Sequence, residues 1–142
     1  MSKFKYLDDE NQIDCILLVD DDPITNYLNE AIISEMKLCN DIEKTENVEE
    51  ALSFIENCYI PKDHPKSLLI LLDINMPFWD GFEFLDELNS RTELPIHKID
   101  VIILSSSIHR LDTAKAKEYK ILDYIVKPLT PEKLQAALFR NK

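Results

Sequence analysis

Glycine occurs once in these 142 residues, at Gly81. A chain that uses glycine once is expected to need it there, for a backbone geometry that other residues resist. A plain turn glycine ahead of a helix is the alternative, and both can hold. Cysteine is nearly as sparse. Cys15, Cys39 and Cys58 are odd in number and carry neither a CxxC nor a Cys/His ligand spacing, so structural thiols are expected rather than a disulfide or zinc role. Cys15 lies in an apolar run, where a buried, reduced thiol is the common outcome. His64, His97 and His109 form no HxxxH or HExxH pattern. No apolar run approaches the roughly 18–20 residues of a membrane span. Met1–Tyr6 lacks the hydrophobic core of a secretion signal, and a cytoplasmic protein without membrane insertion is expected. Positive charge is in deficit, with a net charge of −11, which argues against a direct grip on nucleic acid. Lys115, Lys117 and Lys120 lie with Asp112 and Glu118 on one expected helix and read as a solvated face. No internal repeat or low-complexity tract is visible.

What is present is a globular composition, 45% hydrophobic and 30% charged, in a length that suits one domain. Short apolar runs alternate with helical patterns, which predicts a three-layer, doubly wound α/β domain on a parallel sheet. Strands are expected at Cys15–Val19, Ile42–Thr45, a run ending at Asp73, Val101–Leu104 and Ile121–Val126. The first helix starts near Asp22–Pro23, an aspartate cap followed by a proline suited to the first turn. It carries Ile24, Leu28, Ile32 and Met36 at helical spacing. The second has Asn47 as cap and Val48, Ala51, Leu52 and Ile55 on its apolar side. Tyr59–Lys66 is a loop with two prolines. The third helix carries Phe82, Phe84, Leu85 and Leu88. A fourth is expected near Leu111–Tyr119, and a fifth begins at Thr130–Pro131, again cap and proline.

Four of the apolar runs stop abruptly in polar groups: Asp20–Asp21–Asp22, Asp73–Ile74–Asn75, Ser105–Ser106–Ser107 and Lys127–Pro128. In a parallel sheet these ends share one edge, the edge where such sheets place their sites. Asp20, Asp21, Asp73, Ser105 and Lys127 are therefore expected to converge. Three carboxylates crowded together require a cation, and an all-oxygen donor set without Cys or His suits Mg²⁺. Asp21 and Asp73 are the expected direct ligands, with Asp20 acting through water and the Asn75 backbone carbonyl adding an oxygen. Asp73 is then poised as a nucleophile towards a phosphoryl group, with Lys127 and Ser105 to meet its oxygens.

These residues resemble the receiver domain of two-component response regulators. The likeness rests on Asp20–Asp21, on Asp73–Ile74–Asn75–Met76–Pro77, on Asp80–Gly81, on Ser105, on Tyr124 and on Lys127–Pro128. It covers roughly residues 13–140 and leaves 1–12 as an N-terminal extension of a single, stand-alone domain spanning 1–142. The resemblance implies a flavodoxin-like (βα)5 fold with a central five-stranded sheet. It implies a Mg²⁺-dependent switch that accepts a phosphoryl group on Asp73 from a phosphohistidine of a sensor histidine kinase or phosphotransfer protein. Ser105 then moves towards the phosphoryl group and Tyr124 turns inward. This rebuilds the face of the fourth helix, fifth strand and fifth helix, where receivers bind targets or each other as monomers or weak dimers. No catalysis beyond its own phosphorylation and dephosphorylation is implied. An aspartyl-phosphate phosphatase of the haloacid dehalogenase kind would need an acid where Asn75 stands, and a receiver-shaped module that is never phosphorylated is a third reading. Departures from the pattern are Ser105 for the commoner threonine, Ser106 for a smaller residue, Lys120 for the glycine ending the fourth helix, and the bulky Phe78–Trp79 pair beside the site.

Overall fold

The computed structural model describes residues 13–58, 67–76, 81–106, 119 and 121–140. Five strands, β1 (Cys15–Val19), β2 (Asp41–Thr45), β3 (Leu68–Asp73), β4 (Ile99–Ser105) and β5 (Asp123–Val126), form one sheet in the order β2-β1-β3-β4-β5. Every pairing is parallel. Four helices are described, α1 (Pro23–Met36), α2 (Val48–Cys58), α3 (Gly81–Asn89) and the C-terminal α4 (Pro131–Arg140), with a short 3₁₀ turn at Ile96–Lys98. The α/β architecture, parallel sheet and flavodoxin-like strand order agree with the expectation. The helix expected at Leu111–Tyr119 lies outside the described residues except for Tyr119. So do residues 1–12, the loop Tyr59–Lys66, and Phe78, Trp79, Asp80, Ser107, His64, His109 and Lys120.

The central strands are almost wholly apolar up to their C-terminal residues because both faces are covered. Leu17, Ile70 and Ile103 point to one side, where Ala51 and Ile55 of α2 and Phe84 and Leu85 of α3 close over them. Ile16, Leu69, Leu71 and Ile102 point to the other, against Ile33 of α1 and Leu134 and Leu138 of α4. β4 runs longer than expected, and β5 begins at Asp123 rather than Ile121. Before it, Leu122 N–H already reaches Val101 C=O (2.7 Å).

All three expected caps form. Asp22 Oδ1 accepts from Ile24 N–H (3.0 Å), Asn47 Oδ1 from Glu50 N–H (2.8 Å) and Thr130 Oγ1 from Lys133 N–H (3.1 Å). α1 ends on Lys37 in the left-handed region (φ 55°), a position that favours glycine. The one glycine is used otherwise. Gly81 does not have positive φ; a Cβ there would stand 3.0 Å from Ile74 Cα and 3.2 Å from its Cγ1. The need is close approach rather than unusual dihedrals, since the first turn of α3 rests on the residue after Asp73, with Gly81 N–H donating to Ile74 C=O (3.1 Å).

The apolar stripe expected on α1 is corrected in its first half: Met36 is buried and Ile32 packs half-buried against the core, but Ile24 and Leu28 are not buried. Its buried residues are Asn26, Asn29, Ile33 and Met36, whereas Ile24 is 68% exposed, Tyr27 64% and Leu28 55%. Asn26 turns inward because the strand-end carbonyls of Asp20 and Thr45 lie beneath the first turn, and Ile24, Tyr27 and Leu28 stand outward.

Candidate functional site

Four of the five strands deliver a terminal group to one edge. Asp20 follows β1, Asp73 ends β3, Ser105 ends β4 and Lys127 follows β5. The order places Asp20 and Asp73 on adjacent strands at the point where the chain reverses its winding direction, the customary position of a site in such folds. Carboxylate oxygens of Asp20, Asp21 and Asp73 all lie within 4.8 Å of one another. Lys127 Nζ sits 3.1 Å from Asp20 Oδ2 and 3.3 Å from Asp73 Oδ1. Asp20 and Asp73 are buried and Asp21 is exposed. Backbone donors hold the acids: Asp22 N–H reaches Asp20 Oδ1 (3.0 Å) and Asn75 N–H reaches Asp73 Oδ1 (3.1 Å). Ser105 is buried, and its carbonyl accepts from Lys127 N–H (2.7 Å), which fastens the lysine to the end of β4. Tyr124 is half-buried in β5, opposite Ile103, and packs against the core beneath α2 and α3.

One ammonium faces two buried carboxylates. Burial, with the neighbouring Asp73 charge adding to it, pushes the Asp20 carboxyl above its ordinary value despite the Asp22 N–H and Lys127. For Lys127, burial would lower the value, but Asp20 and Asp73 outweigh it and hold the ammonium above the usual range. The two directions are compatible because the lysine sees two anions, while Asp20 shares its cation with a competitor. Like charges about 4 Å apart repel by roughly 4 kcal/mol at an effective dielectric of about 20. The cluster therefore lacks positive charge, and its donor atoms are all oxygen. Among the described residues it is the one group of three or more acidic, histidine or cysteine side chains close enough to share an ion. That donor set fits a hard divalent cation such as Mg²⁺ and not zinc.

Beside the cluster opens a groove of about 660 Å³, lined among others by Thr25, Leu28 and Ile32 of α1 and by Ser106, Lys127 and Pro128. Of the exposed apolar residues of α1, Leu28 lines this groove, and Ile24 and Tyr27 are exposed on the same helix. Neither this groove nor the inward Asn26 was signalled by the hydrophobic spacing of α1. Asn26 Nδ2 donates to the carbonyls of Asp20 (3.0 Å) and Thr45 (3.1 Å). The only sequence clue was an asparagine one helical turn into a capped helix that follows an acidic pair. Away from the site, Cys15 is buried and its thiol is pushed up to about 12, chiefly by burial. Cys39 is raised to about 11 for the same reason, as expected of structural thiols.

The family model described as "Response regulator receiver domain" matches residues 16–139. The transcriptional regulatory protein MalR of Bacillus subtilis (strain 168) is 34% identical over 129 residues, covering 89% of this chain and 50% of that protein. The chain spans about half the length of the curated relatives it matches. A two-component response regulator structure from Cytophaga hutchinsonii superposes with a TM-score of 0.79 at 33% identity, covering 91% of this chain and 96% of that one. The chemotaxis protein CheY4 of Vibrio cholerae superposes at 0.74 over 92% of this chain and 99% of that one. At 21% identity, that likeness shows the fold alone.

Proposed function

The chain belongs to the response regulator receiver family, whose domains serve phosphorylation-dependent signalling, and we propose that Asp73 is its phosphoacceptor, charged from a phosphohistidine of a sensor histidine kinase or phosphotransfer protein. The observation that carries this reading is the contact of Lys127 Nζ with both Asp20 and Asp73 at the rim of a three-carboxylate cluster. An Asp73 carboxylate oxygen attacks phosphorus, the phosphorus–nitrogen bond of the donor breaks, and the imidazole leaves with its electron pair and takes up a proton. Asp20, Asp21 and Asp73, with the Asn75 carbonyl, would hold Mg²⁺, which when bound offsets the carboxylates and a phosphoryl oxygen. Lys127 is in reach of Asp73 and pairs with a second phosphoryl oxygen. Ser105, on the strand next to Asp73, donates to a third.

Charge added at Asp73 biases a two-state equilibrium. Ser105 moves towards the phosphoryl group and Tyr124 turns inward, altering the face of β5 and α4 read by a downstream protein. The chain acts as one cytoplasmic receiver unit over 1–142, monomeric or weakly dimeric. It catalyses only its own phosphorylation and dephosphorylation. Asn75 stands where a haloacid dehalogenase-type phosphatase needs its second acid, which argues against that reading. The groove beside Lys127 supports a place for the donor: exposed Leu28 lines it together with Lys127, and Ile24 and Tyr27 add exposed apolar surface on the same helix.

Incubation with Mg²⁺ and acetyl phosphate is expected to add one phosphoryl mass to the intact protein, lost in Asp73→Asn and without Mg²⁺. No adduct with any donor, together with no Mg²⁺ binding, overturns the reading; steady turnover of a phosphate ester points to the phosphatase instead.

A further inference from the structure

Asn26 is buried, 2% exposed, in the first turns of α1. Both hydrogens of its amide are used on the neighbouring strand ends, one on Asp20 C=O and one on Thr45 C=O. Asp20 N–H also donates to Thr45 C=O (3.1 Å), so the asparagine amide adds one further rung to the β1–β2 ladder where the strands stop. The same side chain leaves its Oδ1 buried, with no donor among the described residues. A buried acceptor without a partner is a desolvation cost with no return. An apolar side chain would avoid that cost, and it would also give up the two donors.

The carbonyl that Asn26 grips belongs to the peptide joining Asp20 to Asp21. Holding that plane leaves only ψ of Asp20 and φ of Asp21 to set the direction in which the two side chains leave the chain. Asp22 N–H already holds Asp20 Oδ1 from the other side. Asp21, by contrast, is exposed, and the backbone behind it sets its approach to Asp73.

We propose that Asn26 is a positioning residue: by anchoring the Asp20–Asp21 peptide to the ends of β1 and β2, it pre-sets the acidic cluster for the divalent cation. The inference rests on the Mg²⁺ reading above. Residues that orient metal ligands typically govern affinity by roughly 10–100-fold.

The test is calorimetric Mg²⁺ binding to the full chain as wild type, Asn26→Leu and the core control Ile33→Val, each also melted without metal. The expected result is a Kd weakened about tenfold or more in Asn26→Leu, with Ile33→Val binding like wild type whatever its melting temperature. If Asn26→Leu does not fold, Asn26→Ser, which keeps one donor, is expected to weaken binding measurably. Wild-type affinity in a folded Asn26 variant overturns the proposal while leaving the Mg²⁺ site standing, as does an equal loss in Ile33→Val. A wild-type protein that binds no Mg²⁺ overturns both.

Discussion

At the scale of single residues, the site is a problem of charge. Asp20 and Asp73 lie buried at adjacent strand ends, and the Lys127 ammonium is shared between them. A carboxyl whose folded pKa is raised, as for Asp20, binds its proton more tightly in the folded state. Its ionisation therefore costs stability above the unfolded value, and the cost vanishes once both states are protonated. Asp20→Asn keeps the acceptor for Asp22 N–H and removes the charge. Without metal and near neutral pH it is expected to melt higher than wild type by roughly 4 °C, the shift that about 1 kcal/mol gives in a domain of this size. The gap should close as pH falls towards about 4, where the unfolded carboxyl also protonates. Saturating Mg²⁺ should reverse the order, because only the wild type has the full ligand set. Thermal melts with EDTA and with Mg²⁺ check this; a lower melting temperature for the variant in EDTA contradicts it. Asp20, Asp21, Asp73, Ser105 and Lys127 were legible in the sequence because each ends an apolar run, and parallel strands put such ends together. Asn26 was not, because its role depends on two carbonyls that no hydropathy pattern reveals.

At the scale of elements, the strands, α2 and α3 follow the sequence pattern closely. Val48, Ala51, Leu52 and Ile55 of α2 are buried as their spacing predicts, and so are Phe82, Phe84, Leu85 and Leu88 of α3. These helices bury apolar side chains against apolar strands, so periodicity is a sufficient guide. α1 departs from that rule in its first turns, where its inner face meets strand ends rather than strand faces. Asn26 and Asn29 go in, and Ile24, Tyr27 and Leu28 stay out. Gly81 teaches the same lesson, since its rarity flagged the position but the reason is contact with Ile74, which only the packed structure supplies. The outward stripe of α1 predicts a separation of donors. Tyr27→Ala with Leu28→Ala is expected to slow phosphotransfer from a protein donor about tenfold or more, the effect of losing roughly 1.4 kcal/mol of docking energy. Transfer from acetyl phosphate, which needs no docking surface, should stay within about twofold of wild type. An equal loss with both donors would place the defect in the site itself and contradict the docking role. Parallel rate measurements with the two donors decide this.

At the scale of the whole molecule, topology does the assembly. The strand order puts β1 beside β3, so two acidic strand ends far apart in sequence become neighbours. β4 and β5 then bring a hydroxyl and an ammonium to the same edge. The same edge opens on one side to the α1 groove and continues on the other into β5, where half-buried Tyr124 borders the core. On the proposed reading, donor entry and signal output would occupy different surfaces of one small domain, linked through Asp73. The net charge of −11 works against a grip on phosphate backbones through long-range repulsion. Everything in this arrangement turns on Asp73 being the residue that carries the phosphoryl group. An acyl phosphate is open to reduction by borohydride, which converts a phosphorylated aspartate to homoserine, whereas serine and threonine phosphates are unaffected. The most direct measurement is therefore borohydride trapping after Mg²⁺ and acetyl phosphate treatment, followed by peptide mapping. The expected result is homoserine at position 73 and nowhere else; homoserine at another aspartate, or a borohydride-stable phosphate on a hydroxyl residue, contradicts the assignment.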